Sequence, residues 1–125
     1  MDRVELEART MAFAKAVKNL CEQLRKQPIA WGTAGQLLDA STSMAANYRA
    51  TSRSRSPDEW VSKLAVVVEE SDEAVYWLEF VQGSKLDQSP ASMRLLAEAK
   101  ELRAIFAASY ATSRRNRRNR RRKKD

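Results

Sequence analysis

Ser56 to Val81, SPDEWVSKLAVVVEESDEAVYWLEFV, is the stretch whose reading decides the fold. Its opening Ser-Pro-Asp-Glu places a capping Ser before Pro at the first helical position and Glu at the third. Both acidic side chains then sit at the positive end of the helix dipole. Beyond this cap Trp60, Leu64, Val67, Ser71, Ala74, Leu78 and Val81 recur at alternating spacings of four and three, the rhythm of one buried helix stripe. Val61, Val68 and Val75 repeat every seven residues on its flank, and Gly83 is the expected residue just past the end.

The same rhythm extends outward in both directions. A first helix is expected from about Glu5 to Lys26, on Leu6, Thr10, Phe13, Val17, Leu20 and Leu24, with Ala14 and Cys21 beside them. Gln27-Pro28 stops it, because the residue before a proline is pushed out of the helical region. A second runs from Trp31 or Gly32 to about Arg53 on Ala34, Leu37, Ser41, Met44 and Tyr48, a stripe of small residues that favours close approach. A fourth opens at Ser89-Pro90, carries Leu95, Ala99, Leu102 and Phe106, and is expected to fade near Ser113. Four amphipathic helices with short connections predict an all-α, antiparallel up-down-up-down four-helix bundle over residues 1–113. With 3 Gly and 3 Pro in 125 residues, an all-β chain would lack its turns.

Charge is divided unevenly. The net charge is +7, yet Arg114 to Asp125, RRNRRNRRRKKD, holds nine basic residues and one acidic residue, +8. Residues 1–113 hold 14 basic and 15 acidic side chains, −1, so the basicity belongs to the tail and not to the bundle. A run of like charges cannot pack against itself, and residues 114–125 are expected to be a disordered basic tail. With no His and a single Cys, Ser-His-Asp triads, Cys-His dyads and ordinary zinc sites are excluded. Glu69, Glu70, Asp72 and Glu73 share a helix, but a ferritin-like di-metal site needs Glu-x-x-His pairs, so neither enzyme activity nor a metal or cofactor is expected. The N-terminus lacks the apolar core of a signal peptide and no run is long enough to span a membrane, so the expectation is a cytoplasmic protein without a membrane partner.

The third helix has a second stripe. Val66, Glu70, Glu73, Trp77 and Phe80 keep the same spacing, offset by about one residue from the first. This is either a widened core stripe or an oligomer interface, in which Glu70 and Glu73 pair with Arg49, Arg53, Arg55 or Lys63 of another copy. Within one chain, the alternative is that Asn47 and Tyr48 satisfy polar groups at the bundle end and that Arg49 pairs with Glu70 or Glu73.

Ser41 to Val81 also resembles the bacterial four-helix-bundle family of 23S rRNA intervening-sequence proteins. The resemblance rests on Ala46-Asn47-Tyr48-Arg49, the Arg53, Arg55 and Ser56 junction, and Trp60 with Lys63 and Leu64. It rests as well on Glu70, Glu73, Tyr76, Trp77, Leu78 and Glu79, and on Arg9-Thr10 with Phe13-Ala14 near the start. The Arg/Lys tail is not part of that pattern. The resemblance implies a non-enzymatic bundle assembled as a homopentamer. A related group, the accessory proteins of diversity-generating retroelements, binds nucleic acid and a reverse transcriptase.

Two candidate sites follow. Arginine makes bidentate phosphate contacts and stacks on bases, so RNA or DNA is the partner expected at Arg114, Arg115, Arg117, Arg118, Arg120, Arg121, Arg122, Lys123 and Lys124. Arg53 and Arg55, in a solvated junction, join them. The residues expected at an oligomer interface are Asn47, Arg49, Lys63, Glu70, Glu73, Trp77 and Phe80. The alternative function is a scaffold oligomer whose partner is another protein, such as a reverse transcriptase or a ribosomal component, with no direct role for nucleic acid.

Overall fold

The structure is a computed structural model and describes residues 1–124. Among these residues there is no strand, and four α-helices follow in order: α1 (Arg3–Leu24), α2 (Trp31–Ala50), α3 (Pro57–Gly83) and α4 (Pro90–Lys124). Single 3₁₀ turns at Pro28–Ala30 and Thr51–Arg53 complete the connections. Asp2 caps α1 by accepting from the Glu5 N–H at 2.8 Å, Ser56 caps α3 from the Glu59 N–H at 3.1 Å, and Ser89 accepts from the Ser92 N–H at 3.2 Å in α4. Each bond satisfies an N–H that no preceding helical turn can reach.

Contacts between helices fix their directions. Arg3 reaches Tyr48 and Thr51 while Cys21 meets Ala34, so α1 and α2 are antiparallel. The Trp60 indole donates to Ser113 and Asp72 pairs with Arg103, so α3 and α4 are antiparallel as well. Asn47 joins α2 to Glu70 of α3, and Arg9 joins α1 to Glu98 of α4. These links describe the expected up-down-up-down bundle.

The stripes read from the sequence form its core. Leu6, Phe13, Val17, Leu20, Leu24, Leu37, Met44, Leu64, Val67, Leu78, Val81, Leu102 and Phe106 are all buried. The polar members of the stripes are buried too, and they turn their hydroxyls onto the preceding turn: Thr10 donates to the Glu7 carbonyl, Ser41 to Leu37 and Ser71 to Val68. The seam between α1 and α4 is the loosest. It holds a groove of about 760 Å³ lined by Phe13, Leu20 and Leu95, near the Arg9 bridge to Glu98 at 2.6 and 2.7 Å and to Glu101 at 2.9 Å.

The end of α3 departs from expectation. Gly83 is the last helical residue, Ser84 is the cap, and the left-handed residue is Lys85, with φ 64°. The Leu86 N–H bonds the Val81 carbonyl at 3.0 Å and the Lys85 N–H bonds Gln82 at 3.1 Å, a Schellman closure. This closure favours an apolar contact between its two ends. Here those ends are Val81 and Leu86, whereas a turn centred on Gly83 would have matched Glu79 with Ser84. Burial of Leu86 therefore sets the register, and Lys85 accepts the strained backbone.

The C-terminal segment is a larger correction. Residues 114–124 are not a disordered tail but the last turns of α4; Asp125 lies outside the described residues. Elongating an existing helix avoids the cost of nucleation, arginine and lysine are good helix formers, and cations are favoured at a helix C-terminus. Side chains add to this. Arg114 lies 5.6 Å from the centre of the Tyr110 ring, and Asp58 of α3 faces Arg117 and Arg121 at 4.0 and 3.6 Å.

Candidate nucleic-acid interface

The start of α1, the end of α2, the start of α3 and the end of α4 meet at one end of the bundle. Arg3 organises it. Its guanidinium donates to the Tyr48 carbonyl and to Thr51 Oγ1, and lies 5.0 and 5.5 Å from the ring centres of Tyr48 and Trp60. Tyr48 packs on Phe106 with ring centres 5.0 Å apart, so the cation is fixed to the core beneath it. Arg3 was not singled out from the sequence: its local partner is Glu7 one turn on, at 3.3 Å, but Tyr48, Thr51 and Trp60 are 45 to 57 residues away along the chain.

The Trp60–Ser113 bond places residue 113 of α4 level with the first turn of α3. Residues 117–124 therefore stand past the end of α3, about 12 Å of helix at 1.5 Å per residue. Asp58, the second residue of α3, holds the root of this overhang. Ser56, Pro57 and Asp58 face Arg117, Arg120, Arg121 and Lys124 across a hollow of about 330 Å³. Arg117 is half-buried there, and the other eight basic residues of the arm are exposed. Arg115 makes one long contact to Thr112, 3.5 Å. Among the described residues, Asp58 is the one acid that pairs with the arm.

The junction arginines reach the same end by different routes. Arg55 precedes the α3 cap and pairs with Glu59 at 3.2 Å, but it remains highly exposed. Arg53 is exposed and makes no ion pair among the described residues; with Arg49, Met11 and Ala46 it borders a hollow of about 440 Å³ between α1 and α2. All eleven basic residues expected to meet nucleic acid thus belong to one end of the molecule.

Of the residues expected at an oligomer interface, Asn47 and Arg49 lie near the end of α2, and Lys63, Glu70, Glu73, Trp77 and Phe80 run along α3. Asn47 donates to Glu70 Oε1 at 2.8 Å, and Lys63 pairs with Glu59 one turn back at 3.0 Å. Arg49 bonds neither Glu70 nor Glu73. Burial pushes the Glu70 carboxyl above its ordinary pKa, against the Asn47 hydrogen bond that lowers it, and the neighbouring Glu73 charge adds to the rise. Trp77 is half-buried between Tyr76 and Phe80, edge-to-face with each at 4.9 and 6.0 Å. Val66 and Phe80 are each 42% exposed while Trp77 packs against the core, so the outer stripe is absorbed into the core of one chain only in part.

No protein-family model matches the chain, and no curated protein matches it. Among solved structures, the fold is similar to that of a protein of unknown function from the S23 ribosomal protein family of Bacteroides thetaiotaomicron. The TM-score is 0.77 at 21% identity, over 84% of this chain and 97% of that one. A helical neighbour from that family is consistent with the resemblance read between Ser41 and Val81, and at this identity the likeness is one of fold. No helix among the described residues is long and apolar enough to cross a membrane.

Proposed function

We propose that this chain is a non-enzymatic, oligomeric four-helix-bundle protein that captures RNA or DNA electrostatically through its C-terminal arm and the junction arginines Arg53 and Arg55. One observation carries the reading. Nine basic residues extend on a helix from an otherwise nearly neutral bundle, with Asp58 as their one acidic partner among the described residues. A protein that neutralises phosphates releases their condensed counterions, so such binding weakens steeply with salt. In an assembled oligomer several arms would act on one polyanion at high effective concentration. The homopentamer implied by the resemblance is the assembly expected, in the cytoplasm.

The test compares the full chain with residues 1–113 by fluorescence anisotropy on a structured RNA and on DNA across a salt series. The full chain is expected to bind with a log-log salt slope of about −0.7 to −0.9 per phosphate contacted, and the truncated chain to lose most of that affinity. Equal binding by both would move the site to the bundle.

A second reading, a scaffold oligomer whose partner is a protein, is favoured by the outer stripe of α3. Val66, Tyr76 and Phe80 are exposed, and half-buried Glu70 has an amide but no cation for a partner among the described residues. An oligomer indifferent to nucleic acid would favour this second reading. A clean monomer in sedimentation at tens of micromolar would remove the interface.

A further inference from the structure

The helical state of the arm sets most of its cations on two faces, as a disordered tail would not. At 100° per residue, Arg117, Arg120, Arg121 and Lys124 share the face turned toward Ser56, Pro57 and Asp58. Arg115, Arg118, Asn119 and Arg122 recur at i, i+3, i+4 and i+7 on the opposite face. All four are exposed, and none makes an ion pair among the described residues. One face is anchored to the bundle, and the other is a free Arg-x-x-Arg-Asn-x-x-Arg stripe.

We propose that this stripe enters the major groove of B-form duplex DNA, with Arg115, Arg118, Asn119 and Arg122 toward the base edges and Arg117 and Arg121 holding the helix against Asp58. The inference rests on the nucleic-acid reading above and narrows it to one form of nucleic acid. Dimensions argue for it. An α-helix with its side chains is about 10–12 Å across, and the B-form major groove is about 12 Å wide. The stripe from Arg115 to Arg122 is about 10 Å long, matching about three base-pair steps of 3.4 Å. Arg115 faces away from α3, and from Arg117 on the overhang past α3 lets the arm enter the groove.

Chemistry argues the same way. Arginine forks match the acceptor pair on guanine, and an asparagine amide matches the donor and acceptor of adenine, both of them major-groove edges. The major groove of A-form RNA is too deep and narrow for such a helix. Single-strand sites depend on aromatic platforms for stacking, and the arm has no aromatic residue after Tyr110.

The test measures binding of the full chain by anisotropy to a short DNA duplex, an RNA duplex of the same sequence, and one of the DNA strands alone, at about 0.15 M salt. The DNA duplex is expected to bind at least about tenfold tighter than either other probe. Asn116→Pro keeps every cation but breaks the arm helix, with circular dichroism confirming the loss. It is expected to erase the duplex preference while single-strand binding persists. Equal binding of all three probes, preference for RNA, or an Asn116→Pro variant that still favours duplex DNA would each overturn this proposal and leave electrostatic capture standing. No binding of any probe by the full chain would overturn both.

Discussion

Glu70 shows what one partly buried charge does in a bundle this narrow. Its carboxylate is held between α2 and α3 by the Asn47 amide, and burial raises its pKa. An acid whose pKa is raised by folding binds its proton more tightly in the native state. Its contribution to stability is therefore fully present below the ordinary glutamate pKa and is lost as pH rises through the raised value. In dilute, dissociated protein Glu70→Gln, which keeps an acceptor for Asn47, is expected to raise Tm at pH 7 and leave it unchanged below about pH 4. In an oligomer that supplies a cation to Glu70 the gain at pH 7 should vanish. Thermal melts at low and high protein concentration distinguish the two cases. Cys21 is the opposite kind of residue. Its thiol is buried, donates to the Ala34 carbonyl at 3.3 Å and is pushed up to about 11, so little thiolate forms at neutral pH. Native protein treated with iodoacetamide should remain unmodified by mass spectrometry, and unfolded protein should take up one adduct. Its burial was legible from its place beside Leu20 on the α1 stripe.

At the scale of elements, periodicity located the helices well and their ends less well. The α3 start was readable because Ser56-Pro57-Asp58-Glu59 is a local signal whose bonds close within one turn. Its end was not, because Leu86 packing on the core outweighs the conformational freedom of Gly83. Lys85 therefore holds a backbone that an L-residue adopts at a cost of roughly 1–2 kcal/mol, and Lys85→Gly should stabilise the protein by up to about 1 kcal/mol. A rise in the urea midpoint at unchanged m-value would show it, and a fall would mean the lysine stem is packing usefully. The arm was misread for a related reason. Composition alone weighs the repulsion among its cations, but α4 reaches Arg114 already nucleated, and Asp58 and Tyr110 meet the first of them.

For the whole molecule, topology brings the charge together. An antiparallel four-helix bundle sends the end of α2, the start of α3 and the end of α4 to one pole. Arg53, Arg55 and the arm converge there although they lie some 60 residues apart in the chain. The exposed Tyr76 and Phe80 belong to the opposite half of α3. An interface confined to that half would leave the cationic pole open, whereas one that also took in Arg49 and Lys63 would reach toward it. Binding by the full chain and by residues 1–113, across salt and strand type, addresses the pole. Sedimentation addresses the α3 face.

The sequence by itself determined the four helices, their buried stripes and the separation of a neutral body from a cationic end, because periodicity and composition are local properties of the chain. Only the tertiary structure decided which faces those cations show. Arg117 and Arg121 turn toward α3 because Asp58 lies there, and Arg115, Arg118, Asn119 and Arg122 are left on the opposite face by the same pairing. Glu70 likewise finds Asn47 rather than Arg49 because the crossing of α2 and α3 sets their register. Those choices depend on distances between residues remote in sequence, which helix packing fixes and no single helix contains.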